Sequence, residues 1–155
     1  MIVVDSNVLS ARVLTGPLTD LAERVERQDP VWIAPPLWRY ELQSILAKTL
    51  WAGYITPQNA GAAWRQVADQ MRDNEFDPPA DMVLDLSVRH RISAYDANFI
   101  ALALQMNTPC ITEDRELHKK FPGVAVGMAA FLGRELPRGR VSEARAAYRA
   151  RTRKK

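Results

Sequence analysis

Four short apolar runs constrain this chain more than any other feature. Residues 2–4 (IVV), 31–34 (VWIA), 109–112 (PCIT) and 124–126 (VAV) are each too short for a helix, and longer stretches of helical spacing separate them. Short buried runs alternating with helices predict an α/β fold, a mostly parallel sheet with helices on both faces. A helix is expected over 6–14, closed by Gly16-Pro17, and a second over 17–28 with Leu18, Leu21, Ala22 and Val25 on one face. Pro35-Pro36 stops the second run. Over 37–52, Trp38, Leu42, Ile45, Leu46 and Leu50 recur at helical spacing, and Gly53 supplies the stop. Thr56-Pro57 reads as an N-cap with proline at the first helical position, opening a helix to about residue 73. Pro78-Pro79 ends an extended stretch. Further helices are expected over 80–91, 93–106, 115–121 and 128–132.

A chain of 155 residues holds one domain with a sizeable core. Its 47% hydrophobic and 25% charged residues exclude a wholly disordered chain, a collagen-like one and a disulfide scaffold. The lone cysteine, Cys110, cannot bridge internally, which points to a reducing compartment. The longest apolar run, residues 124–133, is half of what a bilayer requires, and the N-terminus has no basic leader. A cytoplasmic protein with no membrane partner is the expectation. The net charge of +3 hides an asymmetry. Residues 1–133 carry 12 Lys and Arg against 16 Asp and Glu, whereas residues 134–155 carry 9 against 2. The body is thus acidic and the C-terminal extension basic. The extension is read as helical, with Ser142 capping a helix through Arg149, or disordered; its charge points to a polyanion partner.

Parallel α/β sheets place ligands at the carboxyl ends of their strands. Two acids follow strands there: Asp5 after the first, and Asp114 two residues after the third. An Asp so placed also commonly caps the next helix. Glu41 lies about 60° from Trp38 and about 40° from Ile45 around its helix, bordering the apolar stripe, where a carboxylate needs a partner. Arg39 and Lys48 are poorly placed to pair with it; a metal would satisfy it better. Asp96 fits a capping box with Ser93 and also aligns with Phe99, Ile100 and Ala103 on the inward face. His90 and His118 sit among polar residues and read as surface histidines, not a catalytic pair. Cys110 reads as a small buried strand residue, and Trp32, Trp38, Trp51 and Trp64 as core.

The segments IVVDSNVL, WRYELQSIL and SAYDANFIALALQMNTPCITEDREL resemble, in order and without a large gap, the PIN-domain ribonucleases, and among them the VapC-type toxins of toxin–antitoxin pairs. The resemblance covers about residues 1–132. It implies a PIN-like three-layer sandwich over 1–133, with 134–155 as an extension longer than a compact member needs. It matches Asp5, Glu41, Asp96 and Asp114 to the family's acidic metal-binding residues, and Asn7 and Thr112 to their polar supports. It implies an RNA substrate, Mg²⁺ or Mn²⁺, and an antitoxin whose segment lies in a groove bordered by Trp38 to Tyr54; it leaves a homodimer open. The chemistry agrees, since converging carboxylates repel one another until a divalent cation neutralises them. Two other readings are a haloacid-dehalogenase-type phosphatase and a non-catalytic RNA-binding or interaction module. The first needs a second Asp where this chain has Asn7.

Overall fold

β1 (Ile2–Val4) runs through the middle of a four-stranded sheet ordered β2-β1-β3-β4, with every pairing parallel. The computed structural model describes residues 1–133; the expectations for 134–155 lie outside the described residues. β2 is Trp32–Ile33, β3 is Cys110–Ile111 and β4 is Ala125–Val126. Each sits inside its predicted run and is shorter than it. All nine strand residues are buried, as expected of parallel strands covered on both faces. The ladder places Val3 opposite both Ile33 and Cys110, and Ile111 opposite Val126. Beyond β2, Ala34 pairs with the extended stretch before Pro78-Pro79: its N–H donates to the Asn74 carbonyl and its carbonyl accepts from Phe76 N, both at 3.1 Å.

The helices are α1 (Ser6–Val13), α2 (Thr19–Gln28), α3 (Trp38–Trp51), α4 (Pro57–Gln70), α5 (Ala80–His90), α6 (Ala94–Met106), α7 (Arg115–Lys120) and α8 (Met128–Leu132). α1 packs with α2, α3 and α4, and α2 with α8; α5 and α6 pack together, with α6 against β1 and β3. These layers and the sheet between them make the expected three-layer sandwich. α6 is apolar nearly all round, burying Ala97 and the run from Phe99 to Leu104, which is what a helix laid across a sheet centre requires.

Two helix ends differ from the sequence expectation for identifiable reasons. α2 begins at Thr19, not residue 17, because the Thr19 hydroxyl accepts from Gly16 N and donates to the Leu14 carbonyl, both at 2.9 Å, holding residues 15–18 in a turn. α4 ends at Gln70, not near 73, because Asn74 Nδ2 donates to the Gln70 carbonyl at 3.0 Å and turns the chain towards Ala34. The other punctuation behaves as predicted. Thr56 Oγ1 accepts from Asn59 N at 3.2 Å, and Gly53 adopts φ +74°, a left-handed conformation that disfavours side chains.

The tryptophans divide. Trp32 and Trp38 are fully buried with their indole N–H groups satisfied, by the Asp29 carbonyl at 2.9 Å and by Glu75 Oε1 at 2.7 Å. Trp64 is partly buried with its ring 5.4 Å from that of Trp38. Trp51 is not core: at the end of α3 it is 82% exposed, beside Tyr54 at 83%. Trp51 lies about 140° around α3 from Trp38, off the apolar stripe, on which Leu50 is still partly buried. No helix among the described residues is long and apolar enough to cross a membrane.

Candidate active site

β1 and β3 are neighbours and end at the same edge of the sheet, so the residues that follow them meet. Asp5 comes after Val4, and its N–H donates to the Ile111 carbonyl at 2.9 Å. Thr112 comes after Ile111, and its N–H continues the ladder to the Val126 carbonyl at 3.0 Å. Residues 107 positions apart are thereby brought into contact. Thr112 Oγ1 donates to Asp5 Oδ2 at 2.6 Å. The same oxygen accepts from Asn7 Nδ2 and from Asp114 N, each at 3.1 Å. A hydroxyl has one donor and two acceptor sites, and all three are used here. Asn7 Nδ2 also donates to Asp5 Oδ2 at 2.6 Å, while its Oδ1 accepts from Glu113 N at 3.2 Å.

Asp5 stands at the N-cap position of α1 but makes no side-chain cap bond; its carboxylate is spent on Thr112 and Asn7 instead. Asp114 does cap: Oδ1 accepts from Glu116 N at 2.7 Å and Leu117 N at 3.1 Å, opening α7. Glu41, in the first turn of α3, is half-buried, and its partner is a residue that the sequence pattern did not single out. The buried Ser6 hydroxyl donates to Glu41 Oε2 at 2.5 Å. As the geometry of α3 requires, Arg39 turns elsewhere, pairing with Glu75 at 2.7 Å. Asp96, in the first turn of α6, donates its N–H to Ser93 Oγ at 3.0 Å, and Asp96 Oδ2 accepts from that hydroxyl at 2.7 Å.

The acids feel one another. Burial pushes the Asp5 carboxyl up; the Thr112 bond and then the Ser6 backbone N–H pull it down, and the charges of Asp96 and Asp114 push it further up. Burial likewise raises Glu41, opposed by the Ser6 bond and reinforced by Asp5 and Asp96. Burial, then the charges of Asp5 and Asp96, raise the Cys110 thiol well above its ordinary range, so Cys110 is an inert strand residue, as its sequence context implies.

Among the described residues, no three His, Cys, Asp or Glu side chains are gathered closely enough to hold a metal ion. The donor chemistry nevertheless suits a hard cation. The bonds to Glu41, Asp96 and Asp114 described above each fall on one carboxylate oxygen, Oε2, Oδ2 and Oδ1 respectively, leaving the second outside them. Carboxylate oxygens of this kind are ligands for Mg²⁺ or Mn²⁺.

Both histidines depart from the surface reading. His90 is half-buried with its ring 4.5 Å from that of Phe121. His118 is half-buried with Nε2 2.7 Å from the Thr112 carbonyl oxygen. For His118, polar neighbours in sequence misled because α7 is short and folds back against the loop that precedes it.

A family model described as the PIN domain matches residues 2–121. Ribonuclease VapC3 of Pyrobaculum aerophilum is 25% identical over 126 residues, which is 79% of this chain and 96% of that protein. The crystal structure of PAE2754 from Pyrobaculum aerophilum superposes with a TM-score of 0.69 at 24% identity, covering 85% of this chain and 93% of that one, a likeness of fold. The family match runs from β1 through α7 and takes in every acid placed above, and on that ground the chain belongs to the PIN domain family.

Proposed function

We propose that this protein is a metal-dependent endoribonuclease that hydrolyses RNA phosphodiester bonds and acts as the toxin of a toxin–antitoxin pair. The observation that carries the reading is Asp5 at the carboxyl edge of a parallel sheet in a PIN domain, with the charges of Asp96 and Asp114 acting on it and its own acting on Glu41. The similarity to a protein named Ribonuclease VapC3 supports both the reaction and the antitoxin partner. Asp5 and Asp96 would hold Mg²⁺ or Mn²⁺ directly, with Glu41 and Asp114 through water. When bound, such a cation supplies an activated water and neutralises charge on the departing oxygen. The chain's own work is positioning. Thr112 and Asn7 orient Asp5, Ser6 orients Glu41, and Ser93 orients Asp96.

The basic extension has a place in this reading. A body with 12 cations and 16 acids repels a polyanion, and residues 134–155, with 9 cations and 2 acids, would supply the attraction. The phosphatase alternative finds no support, because Asn7 uses its amide as both donor and acceptor, which a carboxylate cannot do. The test is cleavage of RNA by protein freed of any partner. Hydrolysis should require Mg²⁺ or Mn²⁺ and stop in EDTA; undiminished cleavage in excess chelator would overturn the metal mechanism, and no cleavage under any condition would overturn the enzyme.

A further inference from the structure

Thr112 is the hub of the site, yet the sheet ladder holds only its N–H. Its carbonyl points out of the ladder, and the residue is fully buried, so that oxygen needs a donor from elsewhere. His118 Nε2 lies 2.7 Å from it. A carbonyl can only accept, so Nε2 carries the proton. His118 stands one helical turn after Asp114, whose carbonyl accepts from His118 N at 3.1 Å. Thus α7 is bonded twice to the loop before it, by the Asp114 cap and by the His118 ring.

Two further contacts hold the same loop. Glu113 N donates to Asn7 Oδ1 at 3.2 Å, and Glu113 Oε1 accepts from Met128 N, at the start of α8, at 2.8 Å. Gly127 lies between these partners. A Cβ there would come 3.3 Å from His118 Cε1 and 3.6 Å from Glu113 Oε1, so the missing side chain lets ring and carboxylate close on one stretch of backbone.

We infer that His118 is a positioning residue for the active site, acting by holding the Thr112 peptide so that Oγ1 meets Asp5 and the Asp114 amide together. Its Nε2 is committed to that carbonyl and takes no part in proton transfer. The inference rests on the ribonuclease reading for its catalytic consequence but not for its geometry. His118→Leu keeps bulk and removes the donor; His118→Gln keeps an N–H donor at similar reach and cannot shuttle a proton.

Groups that orient a site's ligands typically change activity 10- to 100-fold when lost, and a loss of about that size in kcat is expected for His118→Leu, with KM for RNA within about twofold of wild type. His118→Gln should recover most of it. Amide exchange measured by NMR reads the same clamp without RNA. The Asp114 amide should exchange about tenfold faster in His118→Leu and return towards wild type in His118→Gln, while the Val3 amide inside the sheet stays unchanged. Unchanged Asp114 exchange in His118→Leu would overturn the inference, as would equal losses in the Leu and Gln variants. Should the wild-type protein cut no RNA, the ribonuclease reading fails while the exchange comparison still decides the clamp.

Discussion

Replacing Thr112 by Val tests the centre of the site with a side chain of nearly the same shape. The substitution deletes three hydrogen bonds at one fully buried oxygen. The bond donated to Asp5 has a charged acceptor, a class that contributes about 1.5–3 kcal/mol. Asn7 Nδ2 keeps Asp5 as an acceptor, so its loss is small. The Asp114 amide loses the acceptor described above at a half-buried position, costing ~1 kcal/mol. The methyl that replaces the hydroxyl returns about 0.8 kcal/mol of apolar burial. The net is a destabilisation of roughly 2–3 kcal/mol, well short of the ~5–15 kcal/mol that holds a domain folded. Thr112→Ser keeps the oxygen and loses one methyl, which costs about 1 kcal/mol. Urea unfolding followed by circular dichroism should therefore rank wild type above Ser, and Ser above Val. Because the Thr112 bond is the largest influence holding the Asp5 carboxyl down, Val should also raise that carboxyl further and lower RNA cleavage per folded molecule. Val as stable as Ser, with equal cleavage, would refute the claim that this hydroxyl organises the site.

Asp5→Asn keeps the shape and removes the charge, so cleavage should fall by several orders of magnitude while the protein stays folded. In chelating buffer the variant should melt above wild type at pH 7 and level with it below about pH 4, the ordinary carboxylate range, because a carboxyl raised by burial destabilises the fold as pH climbs past its unfolded value; a variant that melts lower at pH 7 would show that the charge supports the fold. Ser6→Ala frees Glu41 from its hydroxyl, and a cleavage loss smaller than that of Glu41→Gln is expected, since the acid remains; a larger loss would give Ser6 a role of its own. Replacing Arg149, Arg151, Arg153, Lys154 and Lys155 by Gln in the full chain should flatten the salt dependence of binding to a labelled oligouridylate. If about three of these cations touch phosphates, the slope of log K changes by roughly 2, and an identical slope would remove the extension from RNA binding.

The architecture was legible because its signals are local. Alternating apolar runs and helical stripes, with Pro and Gly at the boundaries, specify elements within a few residues of themselves, and Thr56, Ser93 and Gly53 act where their chemistry places them. The strand-end positions of Asp5 and Asp114 were likewise readable, since topology alone puts strand carboxyl ends at one edge. The partners were not. Ser6 with Glu41, His118 with the Thr112 carbonyl, and Glu113 with α8 are bonds whose donor and acceptor lie on different elements or on opposite sides of a loop. No periodicity encodes them. Composition could not separate Trp51, exposed, from Trp38, buried, on the same helix, but their spacing could, since it sets them about 140° apart around α3. Sequence spacing determines which residues share a face; only the closed fold decides which groups from distant segments become each other's hydrogen-bond partners, because burial there leaves no water to take their place.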